Sequence, residues 1–82
     1  MNETIRTLLK KSGGLATVDQ LADDADLYTA GLSSFASVQL MLALEESFDI
    51  EFPDALLNRK SFASIAAIQT TVQSLVDQRK VA

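Results

Sequence analysis

The chain has 82 residues, of which 48% are hydrophobic and 22% are charged, a composition typical of one small folded domain over residues 1–82. It has no cysteine and no histidine, which excludes disulfides and thiolate nucleophiles and removes the commonest general base and metal ligand. The net charge of −4 and the scattered basic residues argue against a nucleic-acid partner, and no apolar run is long enough to cross a membrane. We therefore expect a monomer with no catalytic residue, no metal site and no membrane partner.

The first predicted helix runs from Glu3 to Ser12 and ends at Gly13-Gly14. Its apolar residues Ile5, Leu8 and Leu9 share one face. This N-terminal stretch lacks the uninterrupted apolar run of a secretory signal. Together with the absence of cysteine, this predicts a soluble, cytoplasmic protein.

The segment 15–32 is acidic and connects the first helix to the second. The spacing of Thr17-Val-Asp-Gln20 is that of a capping box and predicts a short helical turn over Val18–Ala22. A structureless connection of this length is unusual in a compact domain. We therefore expect three apolar residues to hold the segment against the core: Leu21, Leu27 and Tyr28.

The second predicted helix runs from Ser34 to Ser47, with Ser33 or Ser34 as its N-cap. An extended stretch follows, because Ile50-Glu-Phe-Pro53 ends in a proline and the residue before proline avoids helical geometry. Asp54 is positioned to cap a short third helix that continues to Leu57 and Asn58.

Ser61 is predicted to cap the last helix, in which Phe62, Ile65, Val72 and Leu75 follow the helical period. This helix is expected to fray over residues 78–82. Three longer helices and one short helix predict an all-α fold, a small four-helix bundle. No Asn-Gly or Asp-Gly turn supports a hairpin-rich alternative.

The second helix has apolar residues on two opposite faces. At 100° per residue, Val38, Met41, Leu44 and Phe48 fall together as the predicted core face, with Leu40 at its margin. The opposite face has Phe35, Gln39, Leu42 and Glu46. Either the connecting loop or the short third helix covers these residues, or a partner protein docks there. For the second case, the candidate docking residues are Ser33, Phe35, Gln39 and Leu42.

Gly31 and the serine pair Ser33-Ser34 precede this helix directly. The start of a helix favours a bound phosphate, because unpaired N–H groups and the helix dipole meet there. Taken alone, the pair is most simply an N-cap. A hydrolase nucleophile is disfavoured, because no activating base is near in sequence. Adjacent Glu45-Glu46 is most simply a solvated helix surface.

The segment from Asp26 to Asp54 resembles the acyl carrier and peptidyl carrier protein family. Gly31-Leu-Ser-Ser-Phe35 matches the family's G-x-D-S-L motif at the start of the second helix. Phe48-Asp-Ile-Glu-Phe-Pro-Asp54 matches a later phrase of the type F-D-I-E-I-P-D, and the spacing between the two also matches. The likeness covers essentially the whole chain.

The resemblance implies that Ser34 carries 4′-phosphopantetheine through a phosphodiester, and that the terminal thiol holds an acyl group as a thioester. It implies three partners: a phosphopantetheinyl transferase, an acyl- or amino acid-activating ligase, and a downstream acceptor enzyme. The carrier itself is then not an enzyme. The pattern also resembles the small stand-alone carriers loaded with amino acids by ligases related to aminoacyl-tRNA synthetases.

The chain departs from the family pattern at the start of the second helix. Ser33 stands where the family has an aspartate, and Ala36 and Gln39 also lack the usual charge. These departures predict docking that is more apolar, through Phe35 and Leu42, and less sensitive to salt.

Three other functions stay open at this point. The cargo could be a fatty acyl or polyketide intermediate. The domain could be a helical adaptor without a prosthetic group. It could also be a regulatory domain in which the serine is phosphorylated.

Overall fold

A computed structural model describes residues 1–81, and within this range the protein is helical, with no β-strand. Helix α1 is Asn2–Lys11, α2 is Ser34–Phe48 and α3 is Ile65–Val81. Three short 3₁₀ turns lie between them, at Val18–Gln20, Asp54–Leu56 and Arg59–Phe62. The all-α prediction with three longer helices is confirmed. The predicted short helix from Asp54 is a single 3₁₀ turn, Asp54–Leu56, and the Arg59–Phe62 turn lies beyond its predicted end at Asn58.

The core lies where the three helices meet. Helix α1 packs against both α2 and α3, and α2 also contacts α3. None of the buried side chains in residues 1–79 is polar or charged. The buried residues come from all three helices and from the segments between them: Ile5, Leu9, Leu15, Val18, Leu27, Leu32, Leu40, Leu44, Ile50, Phe52, Phe62, Ile65, Ile68, Val72 and Leu75.

Helix α1 ends within one residue of the predicted position. The N–H groups of Ser12 and Gly13 both donate to the carbonyl of Leu8, at 2.7 and 3.2 Å. Gly14 then has a φ of 69°, a left-handed conformation that glycine adopts without steric cost. The chain leaves the helix through this residue and returns to the core at Leu15.

The long connection is pinned to the core by the predicted residues. Leu27 is fully buried, and Leu21 and Tyr28 pack against the core. Two backbone hydrogen bonds join the connection to the start of α3: Leu27 N–H donates to the carbonyl of Ala63 at 2.8 Å, and Ala66 N–H donates to that of Asp23 at 2.9 Å. These contacts hold the connection in place although most of it is not helical.

The buried face of α2 differs from the prediction. Leu40 and Leu44 are fully buried and define the core face, and Met41 and Phe48 pack at its edge. Val38 was predicted to lie in the core, but 51% of its surface is exposed. Apolar residues occur on nearly every side of this helix, so periodicity alone does not orient it. The packing of α1 and α3 against Leu40 and Leu44 does.

The segment before α3 also corrects the prediction. Ser61 does not cap the last helix; it lies inside the Arg59–Phe62 turn, which Asn58 caps by accepting from the N–H of Ser61 at 3.0 Å. Ser64 is the cap of α3, because its Oγ accepts from Ala67 N–H at 3.0 Å. Ser61 and Ser64 are each followed by an apolar residue, so the sequence alone does not show which of them caps the helix.

The other boundaries differ in smaller ways. Asp54 is the first residue of its 3₁₀ turn, and the N-cap is Pro53. Helix α3 continues to Val81 rather than fraying from residue 78, and Ala82 lies outside the described residues.

Candidate functional site

The two serines at the start of α2 have different surroundings. Ser33 has extended backbone angles, and its Oγ accepts from the N–H of Ala36 at 3.0 Å, so Ser33 is the N-cap. Ser34 is the first residue of the helix and is exposed. Among the described residues, no side-chain hydrogen bond involves Ser34 Oγ. The hydroxyl of Ser33 is therefore engaged in the fold, and that of Ser34 faces solvent.

The turn that delivers this pair depends on Gly31. Its φ is 123°, a backbone conformation that side chains rarely adopt. Leu32 follows as a buried anchor, with its N–H donating to the carbonyl of Leu27 at 2.9 Å. The chain is thus fixed two residues before Ser34, which sets the direction in which the helix starts.

The first turn of α2 suits an anion. The carbonyl of Ser33 accepts from Ser37 N–H at 2.9 Å, which starts the helical ladder. The N–H groups of Ser34 and Phe35 precede the ladder and point out of the helix end, where the dipole is positive. The first turn has no acidic residue to compete for this position.

An open groove of about 480 Å³ lies between the first half of α2, including Ser34, and the segment 57–62. Its apolar side chains are Val38, Met41, Leu57 and Phe62, of which Phe62 is buried and Met41 is partly buried. A chain attached to Ser34 therefore has an apolar path along the protein. The lining residues are Tyr28, Ser34, Ser37, Val38, Met41, Leu57, Asn58, Arg59 and Phe62.

Arg59 contributes a cation to this groove. Its Cζ atom lies 4.0 Å from the centre of the Tyr28 ring, a cation–π geometry. The neighbouring carboxylate of Asp26 is engaged elsewhere, accepting from Thr29 Oγ1 at 3.0 Å and from Tyr28 N–H at 2.9 Å. The hydrogen bonds from Thr29, that from Tyr28 N–H and the charge of Arg59 lower the pKa of Asp26 below its ordinary value.

The predicted docking residues share one exposed face of α2. Phe35 is 75% exposed and Leu42 is 50% exposed, and Gln39 lies beside them. Val38 also belongs to this face, although the helical periodicity predicts that it lies in the core. Its spacing from Phe35 and Leu42, three and four residues, is the signal that could have found it. We call Phe35, Val38, Gln39 and Leu42 the α2 face.

Ser33 lies at the end of the α2 face, and its side chain is committed to capping. The expectation that other elements cover the α2 face is wrong, since its apolar residues are exposed in the folded domain.

Other kinds of site find no support in the part of the chain that is described. Over residues 1–81, no three or more acidic side chains come together in a way that could hold a metal ion. Within the same range, none of the helices combines the length and apolar character needed to cross a membrane.

Comparison with known proteins identifies the family. Residues 3–68 match the family model for a phosphopantetheine attachment site. The aminoacyl carrier protein of Agrobacterium fabrum is 68% identical over 83 residues, covering 100% of both chains. The D-alanyl carrier protein of Lactobacillus acidophilus is 37% identical over 65 residues, covering 76% of this chain and 82% of the relative.

Solved structures agree with this assignment. One similar chain occurs in the crystal structure of an engineered Bradyrhizobium japonicum glycine:[carrier protein] ligase complexed with a carrier protein from Agrobacterium tumefaciens and AMP. It has 73% identity and a TM-score of 0.85, and the match covers 89% of this chain and 99% of that one. A solution structure from Agrobacterium tumefaciens has 67% identity, a TM-score of 0.77 and full coverage of both chains. The chain therefore belongs to the carrier proteins that hold 4′-phosphopantetheine on a serine.

Proposed function

We propose that Ser34 is the serine that holds 4′-phosphopantetheine in this carrier protein. The observation that carries the proposal is the contrast between two adjacent hydroxyls. Ser33 Oγ accepts the N–H of Ala36 and caps α2, whereas Ser34 is exposed at the same helix end. Modification of Ser33 would place the bulky arm on the oxygen that accepts the N–H of Ala36, whereas modification of Ser34 leaves that hydrogen bond untouched.

The residues around Ser34 fit the group. The bridging phosphate is an anion, and the N–H groups of Ser34 and Phe35, at the positive end of α2, would hold it. The remainder of the arm has the groove between α2 and Phe62 available to it. When bound, the group supplies the thiol that this cysteine-free chain lacks.

Attachment requires a separate transferase and coenzyme A. Ser34 Oγ forms a new bond to the phosphorus of the pantetheine arm, and the pyrophosphate bond of coenzyme A breaks. Adenosine 3′,5′-bisphosphate leaves, and the hydroxyl proton passes to a base of the transferase. In this proposal the transferase is the catalyst, and the carrier is the acceptor of the transferred group.

The cargo we propose is an amino-acyl group. Support comes from full-length similarity to an aminoacyl carrier protein, and from a similar chain solved with a glycine:[carrier protein] ligase. The groove beside Ser34 is open to solvent, which suits a short cargo. The partners are then a phosphopantetheinyl transferase, an amino acid-activating ligase and a downstream acceptor, and the carrier acts as a cytoplasmic monomer.

Partner docking is proposed for the α2 face. Phe35 directly follows Ser34 and is 75% exposed, so an enzyme that contacts it also meets the attached arm. Covering one such large apolar side chain contributes about 1.5–3 kcal/mol. Ser33 lies at the edge of the same contact.

Intact-mass measurement tests the attachment site. The purified protein is incubated with coenzyme A and a broad-specificity phosphopantetheinyl transferase. We expect a mass gain of one phosphopantetheinyl group in the wild type and in Ser33→Ala, and no gain in Ser34→Ala. Ser33→Ala is the matched control, because it removes the neighbouring hydroxyl.

Gain in Ser34→Ala with loss in Ser33→Ala would move the site by one residue. A folded wild-type protein that gains no mass would instead favour the adaptor function. Incubation of the modified protein with amino acids, ATP and candidate ligases then identifies the cargo by the next mass increment, with fatty acids as the competing class.

A further inference from the structure

The groove beside Ser34 has one charged side chain among its described lining residues, that of Arg59. Arg59 is exposed, and its guanidinium lies over the ring of Tyr28 at 4.0 Å. A cation–π contact at an exposed site contributes only about 0.5–1 kcal/mol. The side chain is therefore held in the groove by a weak contact that a stronger partner can replace.

Arg59 has no carboxylate partner of its own among the described residues. The ion pairs found there use other cations: Arg6 with Asp23, Lys10 with Asp19, and Arg79 with Asp49. The carboxylate of Asp26 interacts with the charge of Arg59, but it already accepts hydrogen bonds from Thr29 and Tyr28. A new anion formed in the groove would meet an uncommitted guanidinium.

We propose that Arg59 is the counter-ion of the phosphodiester formed on Ser34, an inference that rests on the proposed attachment site. In the unmodified protein the Arg59 guanidinium packs on the Tyr28 ring. Once Ser34 is modified, Arg59 exchanges part of that contact for hydrogen bonds to the phosphate oxygens. Arginine suits this role because its planar fork can donate two parallel hydrogen bonds to one phosphate.

This makes Arg59 a positioning residue. The phosphate is fixed at one side by the first N–H groups of α2 and at the other by the guanidinium, which restrains the base of the arm along the groove. Lys60, the next residue, is also exposed and cationic but does not line the groove. It provides a matched control for the loss of one positive charge from the same turn.

NMR spectra of the unmodified and the phosphopantetheinylated protein test the inference directly. We expect the Nε–Hε resonance of Arg59 and the ring resonances of Tyr28 to shift on modification. We also expect the ³¹P resonance of the phosphodiester to shift in Arg59→Gln, to stay at the wild-type position in Lys60→Gln, and to be partly restored in Arg59→Lys.

A thermodynamic cycle gives a second readout. The folding equilibrium constant is measured by urea unfolding for both forms of the wild type and of Arg59→Gln. For each protein, the folding constant of the modified form is divided by that of the unmodified form. We expect this ratio to be about 1.4- to 5-fold larger in the wild type than in Arg59→Gln, the range for an exposed ion pair. High salt should reduce this ratio, because exposed charges are screened.

The role of Arg59 would be overturned if its resonance did not change on modification and the ³¹P resonance were the same in the wild type and in Arg59→Gln. The ratio of folding constants would then also be equal in these two proteins. This result is distinct from failure of the attachment site, in which the protein gains no mass and no phosphodiester resonance exists to be measured.

Discussion

At the scale of single residues, the site depends on which hydroxyl the fold uses. Ser33 and Ser34 are chemically identical neighbours, but only Ser33 Oγ is placed to accept the N–H of Ala36. The φ of 123° at Gly31 and the burial of Leu32 fix the turn that produces this difference. A change at either residue would alter the presentation of Ser34 without touching the hydroxyl.

Asp23 links the long connection to α1 through hydrogen bonds from Asn2 and Arg6. Its Oδ1 accepts from Asn2 Nδ2 at 3.0 Å and from Arg6 Nη2 at 2.7 Å, which ties the long connection to α1. Arg6 also donates to the carbonyl of Val18 at 2.7 Å. The hydrogen bonds from Asn2 and Arg6, and then the charge of Arg6, lower the pKa of Asp23 below its ordinary 3.8.

A lowered pKa in the folded state predicts a pH dependence with a definite sign. The contribution of Asp23 to stability is fully present above 3.8 and is lost as the pH falls through the lower folded-state pKa. We expect Asp23→Asn to remove this component, so that its unfolding free energy falls less on acidification than that of the wild type. Urea unfolding at a series of acidic pH values measures it.

Asp24→Asn is the control for this prediction, since it removes the adjacent exposed carboxyl and should keep the wild-type pH dependence. Parallel acid profiles for wild type and Asp23→Asn would show that the Asn2 and Arg6 contacts do not couple to folding.

At the scale of elements, α2 has a buried face and an exposed face on opposite sides. Leu40 and Leu44 pack into the core, and the α2 face presents Phe35, Val38 and Leu42 to solvent. The end of the helix is held by Glu45, whose carboxylate accepts from Phe52 N–H at 2.9 Å and fixes the extended segment that follows. The helix is therefore anchored along one side while the other remains available to partners.

The α2 face predicts the behaviour of variants toward an amino acid-activating ligase. We expect Phe35→Ala and Leu42→Ala to lower kcat/KM for loading of the modified protein by about tenfold each, because each loses an apolar contact of about 1.4 kcal/mol or more. The salt dependence of kcat/KM should change little, since the lost contacts are uncharged. Steady-state loading assays with the carrier as the varied substrate measure both quantities.

Thr70→Ala, at an exposed position of α3, is the control and should load like the wild type. Wild-type kcat/KM in both α2-face variants would place docking on another surface.

At the scale of the whole molecule, a small apolar core holds three helices and a long connection together. Phe52 precedes the Asp54–Leu56 turn and Phe62 is the last residue of the Arg59–Phe62 turn; their rings lie 5.5 Å apart and close the core behind the groove. Backbone hydrogen bonds from Leu27 to Ala63 and from Ala66 to Asp23 join the connection to the start of α3. The site is therefore supported by several parts of the chain.

Two leucines on one helix test this separation of core from surface. Leu44 is fully buried and Leu42 is 50% exposed. We expect Leu44→Ala to lower the unfolding free energy by about 2–5 kcal/mol, because it leaves a cavity in the core. Leu42→Ala should change it by about 0.5 kcal/mol or less. Urea unfolding of the unmodified proteins measures both, and similar losses at the two positions would contradict the orientation of α2.

Much of the fold follows from local chemistry that can be recognised in the sequence. The start of α2 at Ser34, the end of α1 before Gly13-Gly14 and the extended stretch before Pro53 depend on caps, glycine turns and proline geometry. These effects act over about four residues, so the sequence contains their full cause. The motif around Ser34 belongs to this group.

Other features were decided only by the tertiary structure. They include the exposure of Val38, the use of Ser64 rather than Ser61 as the cap of α3, the bond from Phe52 N–H to Glu45 and the position of Arg59 over Tyr28. The sequence by itself determined the family, the helical fold and the candidate serine. The tertiary structure decided which side of α2 is exposed and which cation shares the groove with Ser34. The physical reason is that packing against α1 and α3 selects one face of a helix that is apolar on nearly every side.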